Sequence, residues 1–290
     1  MSGTDGGTGT GDRTGADADE LLALAVAAAA EAGELLASRE GRVLVAATKS
    51  SPTDVVTEMD RRAEDLIRAR ILAARPGDVI LGEEGGEIGD ARAGGGVRWV
   101  IDPLDGTVNY LYGLHDWAVS IAAEADGQIV AGAVLVPMHN ELFRAVRGGG
   151  AFLAPAGPGA PEPGIPLRCR AGVPLDQALI GTGFGYRAVR RKVQGEIVAT
   201  LLPRVRDIRR GGSASVDLCS VAAGRLDGYY ERGLNYWDYA AGALIAAEAG
   251  ASVGDSRGGP PSTSLTVAAG PGLFGSLVQA LASLDAERDG

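Results

Sequence analysis

The stretch Trp99–Thr107, Trp-Val-Ile-Asp-Pro-Leu-Asp-Gly-Thr, decides how the rest of the 290-residue chain is interpreted. Its three leading apolar residues predict a buried strand, and the proline fixes its own φ, so the chain turns where the strand ends. The turn carries two carboxylates, Asp102 and Asp105, which suit a hard divalent cation. Gly106 and Thr107 follow directly and offer backbone N–H groups to an anion. A metal ion and an anion side by side indicate phosphate chemistry.

The composition is typical of a globular enzyme with an excess of acidic residues. Hydrophobic residues make up 46% of the chain and charged residues 22%, and the net charge is −10. Such a charge disfavours non-specific binding to nucleic acid or to anionic membranes. Cys169 and Cys219 provide no disulfide framework or zinc spacing and fit a reducing cytoplasm. The apolar run Leu21–Ala30 is far shorter than the roughly 20 residues of a membrane span, so we expect a cytoplasmic protein without nucleic-acid or membrane partners.

Composition and periodicity divide the chain into three regions. Residues 1–17 contain almost no apolar side chains and are predicted to form a disordered tail. Residues 18–155 are predicted to form an α+β half with two helices, an antiparallel sheet and the metal site. Residues 156–290 alternate strands with helices, which predicts an α/β half that contributes Asp238. The segment 151–166, rich in Gly, Pro and Ala, marks the boundary.

Apolar spacing and turn residues predict the individual elements. The predicted helices are Asp19–Ser38 with Asp19 as N-cap, Asp60–Ala74, Val189–Leu202, Ser215–Ala223, Trp237–Ala249 and Leu273–Leu284. Besides the strand that begins at Trp99, the predicted strands are Asp78–Leu81, Ala118–Ala125, Ile129–Pro137, Glu141–Arg147, Ala178–Thr182, Asp207–Arg209, Gly228–Tyr230 and Leu265–Ala269.

Further acidic residues lie where predicted helices or strands begin or end. They are Asp60, Glu83, Glu84 and Asp238. Acids in such places can converge on a cation such as Mg²⁺. Taken singly, each also has a simpler interpretation: a helix cap for Asp60 or Asp238, a solvated turn for Glu83 and Glu84, and a type I turn at Asp102. No EF-hand spacing is present, and the glycines of Gly181–Gly185 lack the spacing of a dinucleotide-binding loop.

Taken together, these motifs resemble those of the inositol monophosphatase family, within the wider superfamily of Mg²⁺-dependent, lithium-sensitive phosphatases. The resemblance extends over residues 20–285 and rests on Ser50–Asp60, Gly82–Glu84, Trp99–Tyr110 and Asn235–Gly242. It implies a layered αβαβα sandwich of the inositol monophosphatase and fructose-bisphosphatase type, and a homodimer.

The resemblance also implies a role for each matched residue. The implied metal ligands are Glu83, Asp102, the backbone carbonyl of Leu104, Asp105 and Asp238. The implied catalytic residues are Glu84 and Thr107, which would orient the attacking water, and Asp60, which would hold Thr107 or a water bound to the metal. The implied substrate contacts are Asp105, Gly106, Thr107, Gly212, Ser213, Ala214, Glu231 and Asp238. Two or three Mg²⁺ ions and inhibition by Li⁺ are implied as well.

The expected reaction is hydrolysis of a phosphate monoester, myo-inositol 1-phosphate, by a water that the metal activates. The same chemistry on fructose 1,6-bisphosphate, histidinol phosphate or a 3′-phosphoadenosine nucleotide is the alternative, although Glu231 can accept from inositol hydroxyls. A non-catalytic regulatory protein is a second class, but such a protein would not need every acid. The basic cluster Arg204, Arg206, Arg209 and Arg210 either faces solvent or contacts a second anionic group of the substrate.

Overall fold

The computed structural model describes residues 17–38, 45–48, 55–89, 96–157 and 163–288. Residues 1–16 of the predicted tail and the loop Ser50–Asp54 lie outside the described residues. Asp17, the last residue of that predicted tail, is described and lies directly before the first helix.

The described residues form seven α-helices and fifteen strands. The helices are α1 (Ala18–Ser38), α2 (Glu58–Ala74), α3 (Thr107–Tyr112), α4 (Ala188–Leu201), α5 (Ala214–Ala222), α6 (Tyr236–Glu248) and α7 (Phe274–Ser283). The strands of the first half are β1 (Val45–Thr48), β2 (Val55–Thr57), β3 (Val79–Gly82), β4 (Gly86–Ile88), β5 (Arg98–Asp105), β6 (Ala118–Ala125), β7 (Gln128–Val136), β8 (Glu141–Val146) and β9 (Gly150–Pro155). The remaining strands are β10 (Ile165–Pro166), β11 (Leu179–Thr182), β12 (Asp207–Arg209), β13 (Gly228–Glu231), β14 (Ser252–Gly254) and β15 (Thr266–Ala269).

The first helix begins earlier and is longer than predicted. Its cap is Asp17 rather than Asp19, because the Asp17 carboxylate accepts the N–H of Asp19 at 3.0 Å and its carbonyl accepts that of Leu21. The apolar run Leu21–Ala30 lies within α1, which has 21 residues and a mean hydropathy of 1.6 over an 18-residue window and is, by length and composition only, long and apolar enough to cross a membrane. One face of α1 nevertheless packs into the protein core, including Ala25 and Leu36, which are fully buried.

The larger sheet has eight strands in the order β10-β9-β8-β7-β6-β5-β3-β4. All its neighbouring pairs are antiparallel except β3 and β5. The prediction of an antiparallel sheet is therefore wrong for that one pair. The reason is β4, which turns back along the outer edge of β3, so that the chain re-enters the sheet at β5 in the direction of β3. The short β10 extends this sheet past residue 155.

The smaller sheet has five strands in the order β12-β11-β13-β15-β14. Its β11 runs parallel to β12 and β13, while β15 runs antiparallel to β13 and β14. The parallel strands are joined through helices α4 and α5, as parallel connections require. The strands β12, β11 and β13 thus have the parallel α/β arrangement predicted for the second half, whereas β15 and β14 are antiparallel to their neighbours.

The helices and sheets stack in five layers. Helices α1 and α2 cover one face of the larger sheet, and α6 covers the other, with α5 beside it. On β5, Trp99 and Ile101 belong to the core under α1 and α2, whereas Val100 belongs to the core under α6, as strand alternation requires. Helices α5 and α6 also pack on the smaller sheet, whose far face is covered by α4 and α7. This αβαβα arrangement confirms the predicted fold and places the end of β5 beside the starts of α5 and α6.

Candidate active site

A cavity of about 410 Å³ opens where the end of β5 meets the starts of α5 and α6. Ten predicted site residues line it: Glu83, Asp102, Leu104, Asp105, Gly106, Thr107, Gly212, Ala214, Glu231 and Asp238. Three others, Asp60, Glu84 and Ser213, are not among the lining residues, but Asp60 and Ser213 hydrogen-bond to residues that are. Several distant stretches of sequence, from both halves of the chain, thus meet at one cavity.

An irregularity in β5 presents the two aspartates of the central motif. Asp102 pairs with Ser120 and Asp105 with Ala118, so β5 holds one more residue than β6 over this interval. Pro103 lies within it and has no N–H to donate to the sheet. Because β5 continues through Asp105, the simpler interpretation of this segment as a type I turn was wrong.

Backbone and serine donors hold the three cavity aspartates. Asp102 Oδ1 accepts the N–H of Leu104 at 3.0 Å, and Asp238 Oδ2 accepts the N–H of Asn235 at 2.7 Å. Asp105 Oδ2 accepts from the hydroxyls of Ser213 and Ser215 at 2.7 and 2.6 Å and from the N–H of Ser215 at 2.7 Å. These bonds fix the carboxylates before any ligand arrives.

A hydrogen bond between Thr107 and Asp60 connects the cavity to α2. Thr107 Oγ1 lies 3.0 Å from Asp60 Oδ1 and 3.1 Å from the Leu104 carbonyl oxygen, so both acceptors for the hydroxyl hydrogen belong to the protein. Asp60 is fully buried, and its Oδ2 accepts the N–H of Thr57 at 2.8 Å. Because Thr107 lines the cavity and donates its hydroxyl hydrogen to the protein, its oxygen can accept a hydrogen bond from a group in the cavity.

Burial and mutual repulsion raise the pKa values of the cavity carboxyls. Burial raises the pKa of Asp102 well above its usual range, and the charges of Glu83 and Asp105 raise it further. Burial likewise raises the pKa of Asp238, followed by the charge of Glu83. For Asp105 burial also raises the pKa, and the hydrogen bonds from Ser215 oppose it. A cation among these carboxyls would favour their ionised forms, because its charge offsets their mutual repulsion.

The donors at the cavity fit a hard divalent cation by their chemistry. Aspartate, glutamate and backbone carbonyl oxygens are the ligands that Mg²⁺ prefers, and the side chains carry excess negative charge. Among the residues that the structure describes, no three acidic, histidine or cysteine side chains already close around one point.

The opposite side of the cavity carries Glu231 and several arginines. Glu231 accepts the hydroxyl of Tyr229 at 2.6 Å, and burial raises its pKa to about 7. Of the basic cluster noted in the sequence, Arg210 lines the cavity, whereas Arg209 is exposed and pairs with Asp207 at 2.5 Å. Arg209 thus faces solvent, whereas Arg210 is placed where it could contact a second anionic group of a substrate.

Several residues that shape the cavity were not found in the sequence. Ser215 holds Asp105, and Asn109 Nδ2 donates to the carbonyls of Asp116 and Gly211 at 2.6 and 2.9 Å, which fixes the segment before α5. Arg190 lines the cavity from α4. Nothing local marks these residues, since their partners are distant in sequence. The buried pair Glu64 and Arg68 on α2 had a signal, because both repeat at the four-residue spacing that starts at Asp60.

Known proteins resemble this chain over a range that includes all the residues of the cavity. The model of the inositol monophosphatase family matches residues 17–286. The "Inositol-1-monophosphatase" of Mycobacterium leprae is 46% identical over 280 residues, which cover 91% of this chain and 94% of that protein. A protein named "Nus factor SuhB" from Pseudomonas aeruginosa is 41% identical, covering 82% of this chain and 86% of that protein. The solved structure of Mycobacterium tuberculosis SuhB matches with a TM-score of 0.77 and 45% identity, covering 94% of this chain and 99% of that one.

Proposed function

The chain belongs to the inositol monophosphatase family and is a phosphatase, and from this premise we propose that it hydrolyses myo-inositol 1-phosphate with Mg²⁺ as cofactor. The observation that supports this most is the meeting at one cavity of three aspartates from β5 and α6 with the hydrogen-bonded Thr107. Hydrolysis of a phosphate monoester is extremely slow without a catalyst, so the enzyme has to stabilise much of the developing charge.

In this proposal the cation is held by oxygen donors from three segments. The ligands would be Glu83, Asp102, the carbonyl of Leu104, Asp105 and Asp238. When bound, two or three Mg²⁺ ions would supply charge neutralisation for the phosphate and the leaving alkoxide and would acidify a water. The hydrogen bonds from backbone and serine donors would keep the aspartates in place for the cation.

The other site residues would position water, phosphate and the inositol ring. Thr107, whose hydroxyl donates to Asp60, would accept a hydrogen bond from the attacking water, and the carboxylate of Glu84 would take up the proton that this water releases. Gly106 and Thr107 would donate backbone N–H groups to the phosphate. The residues proposed to contact the rest of the substrate are Asp105, Gly212, Ser213, Ala214, Glu231 and Asp238. Glu231 can accept or donate at the inositol hydroxyls, since its pKa is about 7.

Release of inorganic phosphate from myo-inositol 1-phosphate tests this proposal directly. We expect release that requires Mg²⁺ at millimolar concentration, is inhibited by Li⁺ and falls at least about 10²-fold in Asp102→Asn, which removes a proposed ligand charge. Asp126→Asn, at an exposed hairpin far from the cavity, is the matched control. No release by the wild-type protein at saturating Mg²⁺ contradicts the proposal.

A substrate with a second anionic group, such as fructose 1,6-bisphosphate, is the second candidate. It is favoured by Arg187, Arg190 and Arg210, which line the cavity in addition to the acids. If these side chains bind a second phosphate, Arg210→Ala lowers kcat/KM for the bisphosphate by about tenfold or more and leaves the inositol monophosphate little changed. Arg209→Ala is the control, because Arg209 pairs with Asp207. Equal effects on both substrates contradict a second anion site.

The assembly and location of the enzyme also belong to the proposal. We propose a homodimer in the cytoplasm, with a small-molecule phosphate as the partner and no nucleic acid or membrane, in line with the net charge of −10. Light scattering of the purified protein measures the oligomeric state. A regulatory role of the kind that the name of the Pseudomonas relative suggests stays an alternative, and it would be supported if Asp102→Asn lost hydrolysis but kept its cellular function.

A further inference from the structure

Two buried side chains of α2 hold the turn that carries Glu83 and Glu84. They are Glu64 and Arg68, which are 2% and 9% exposed and lie one helical turn apart. Neither lines the cavity, and neither has a part in the proposed chemistry. A buried charged pair costs desolvation, so its contacts indicate what it does for the molecule.

The contacts of this pair are almost all with the backbone of the turn between β3 and β4. Glu64 Oε2 accepts the N–H of Glu84 at 2.8 Å, and Oε1 accepts the N–H of Gly85 at 2.7 Å. Arg68 Nε donates to Glu64 Oε1 at 2.9 Å, and its Nη2 donates to the Gly86 carbonyl at 2.8 Å. Three consecutive residues of the turn are thereby tied to one helix.

The glycines on either side of the two glutamates are explained by the same pair. A Cβ on Gly82 would lie 2.7 Å from Glu64 Cδ, and one on Gly85 would lie 2.8 Å from Arg68 Nη2. Neither glycine has a positive φ, so it is space for Glu64 and Arg68, not backbone conformation, that requires glycine at these positions. The Gly-Glu-Glu-Gly sequence is thus shaped to receive the two side chains.

Helix α2 places two parts of the site with residues spaced by four. Asp60 holds Thr107, and Glu64 holds the turn that carries Glu83 and Glu84. Arg68 adds a hydrogen bond to the same turn at the Gly86 carbonyl. Residues at this spacing share one face of a helix. The distance between the Thr107 hydroxyl and the two glutamates is therefore set by a rigid element instead of by a loop.

We propose that Glu64 and Arg68 are positioning residues of the site, which fix Glu83 and Glu84 relative to Asp102 and Thr107. This inference rests on the proposed function, in which Glu83 binds the cation and Glu84 orients water. Because the second coordination layer of a metal site sets the direction of the ligands, its loss commonly weakens metal binding by about 10- to 100-fold.

Hydrogen exchange of the metal-free protein tests the structural half of the inference. In Glu64→Gln the amide nitrogen faces a backbone N–H, so one acceptor is lost along with the charge that Arg68 pairs with. We expect the amides of Glu84 and Gly85 to exchange about tenfold faster or more, and those of α2 to stay protected. Asp65→Asn, an exposed neighbour on the same helix, is the control. Unchanged exchange at Glu84 and Gly85 overturns the inference.

Calorimetric titration with Mg²⁺ and steady-state kinetics test the functional half. We expect Glu64→Gln, with circular dichroism like that of the wild type, to bind Mg²⁺ about tenfold more weakly or worse and to lose more in kcat than in KM. Arg68→Lys should retain more of both than Arg68→Met, since lysine can replace one of the two contacts. Mg²⁺ affinity of Glu64→Gln within twofold of the wild type overturns the inference. A wild-type protein that neither binds Mg²⁺ nor releases phosphate overturns the proposed function instead, and the exchange result still decides whether Glu64 holds the turn.

Discussion

At the scale of single residues, two aspartates use their two oxygens for different purposes. Asp60, the third residue of α2, completes a capping box because its Oδ2 accepts from the N-cap residue Thr57, while its Oδ1 accepts from Thr107. Asp238 Oδ2 caps α6 through Asn235, and its side chain lines the cavity. The sequence offered a cap and a site as alternatives for both residues. The structure contains the cap in each case and leaves a second oxygen for another partner, so the two interpretations are compatible.

Removal of the Thr107 hydroxyl is expected to lower turnover without unfolding the protein. Thr107→Val keeps the shape but removes the oxygen that would accept from water, so kcat should fall by about 10²- to 10⁴-fold. Thr107→Ser keeps the hydroxyl and should retain activity within about tenfold of the wild type. Phosphate release at saturating Mg²⁺ and substrate measures both. Activity of the valine variant equal to that of the serine variant would falsify the role of the hydroxyl.

A side chain at Gly106 is expected to destabilise the protein through both conformation and contact. Gly106 has φ +95°, and a Cβ there would lie 3.0 Å from the Asp116 carbonyl oxygen. The left-handed conformation alone costs about 1–2 kcal/mol for alanine. Gly127→Ala is the control, because Gly127 has φ +73° and its Cβ would meet no atom within 4 Å. We expect Gly106→Ala to lower the free energy of unfolding in urea by more than the control does, and an equal loss would show that the contact is harmless.

At the scale of secondary structure, the start of α5 supports the end of β5. Ser213 caps α5 by accepting the N–H of Val216, and its hydroxyl also donates to Asp105. Ser215 donates to the same carboxylate oxygen from both its N–H and its hydroxyl. Because these residues are more than a hundred positions apart in sequence, the contact joins the two halves of the chain at the carboxylate proposed to bind the cation.

Loss of the Ser215 hydroxyl is expected to destabilise the protein although alanine is the better helix former. A hydrogen bond to a charged group contributes about 1.5–3 kcal/mol, whereas the gain in helix propensity is at most about 0.5 kcal/mol. Ser215→Ala should therefore lower the free energy of unfolding by about 1–2 kcal/mol in urea titration. Ser276→Ala, at an exposed position of α7, should be neutral or slightly stabilising. A neutral Ser215→Ala would mean that the remaining donors suffice for Asp105.

At the scale of the whole molecule, the layered stacking forces acidic groups of both halves into one buried region. Burial raises the pKa values of Asp102 and Asp217 well above their usual range and that of Glu231 to about 7. The folded, metal-free protein therefore keeps protons that the unfolded chain has already released. By linkage, stability is lost as the pH rises from the ordinary carboxyl pKa through the raised folded value. For Glu231 this interval runs from 4.5 to about 7.

The stabilisation by Mg²⁺ is accordingly expected to grow with pH. In a chelating buffer, Tm should be several degrees lower at about pH 8 than at about pH 5.5, because the cavity carboxyls then ionise without a counter-charge. Added Mg²⁺ should raise Tm more at the higher pH, where it does not compete with protons. Thermal unfolding followed by circular dichroism with and without Mg²⁺ measures both effects. A Mg²⁺ shift that is equal at the two pH values, or larger at the lower one, contradicts a cation site among these carboxyls.

Local sequence determined much of this protein because the physics of those features is local. Apolar spacing and turn residues predicted most helices and strands to within a few residues, and the acidic motifs at strand ends and helix starts indicated metal and phosphate chemistry. Short features without a strong apolar pattern were missed, including α3, β4 and β14, and β9 was missed because its residues were assigned to the Gly-, Pro- and Ala-rich boundary segment 151–166. The five-layer sandwich was predicted only from the resemblance to a family.

The tertiary structure alone decided which groups meet. The path of the chain through β4 makes β3 and β5 parallel. The contact of α5 with β5 gives Asp105 its serine donors. Helix α2 supplies Glu64, which holds the turn with Glu83 and Glu84. These contacts join residues that are 19 to 110 positions apart. No local pattern records them, because a buried polar group is satisfied by whichever partner the packing brings within reach. The central turn at Asp102–Thr107 was visible in the sequence, but only the fold determined what holds it in place.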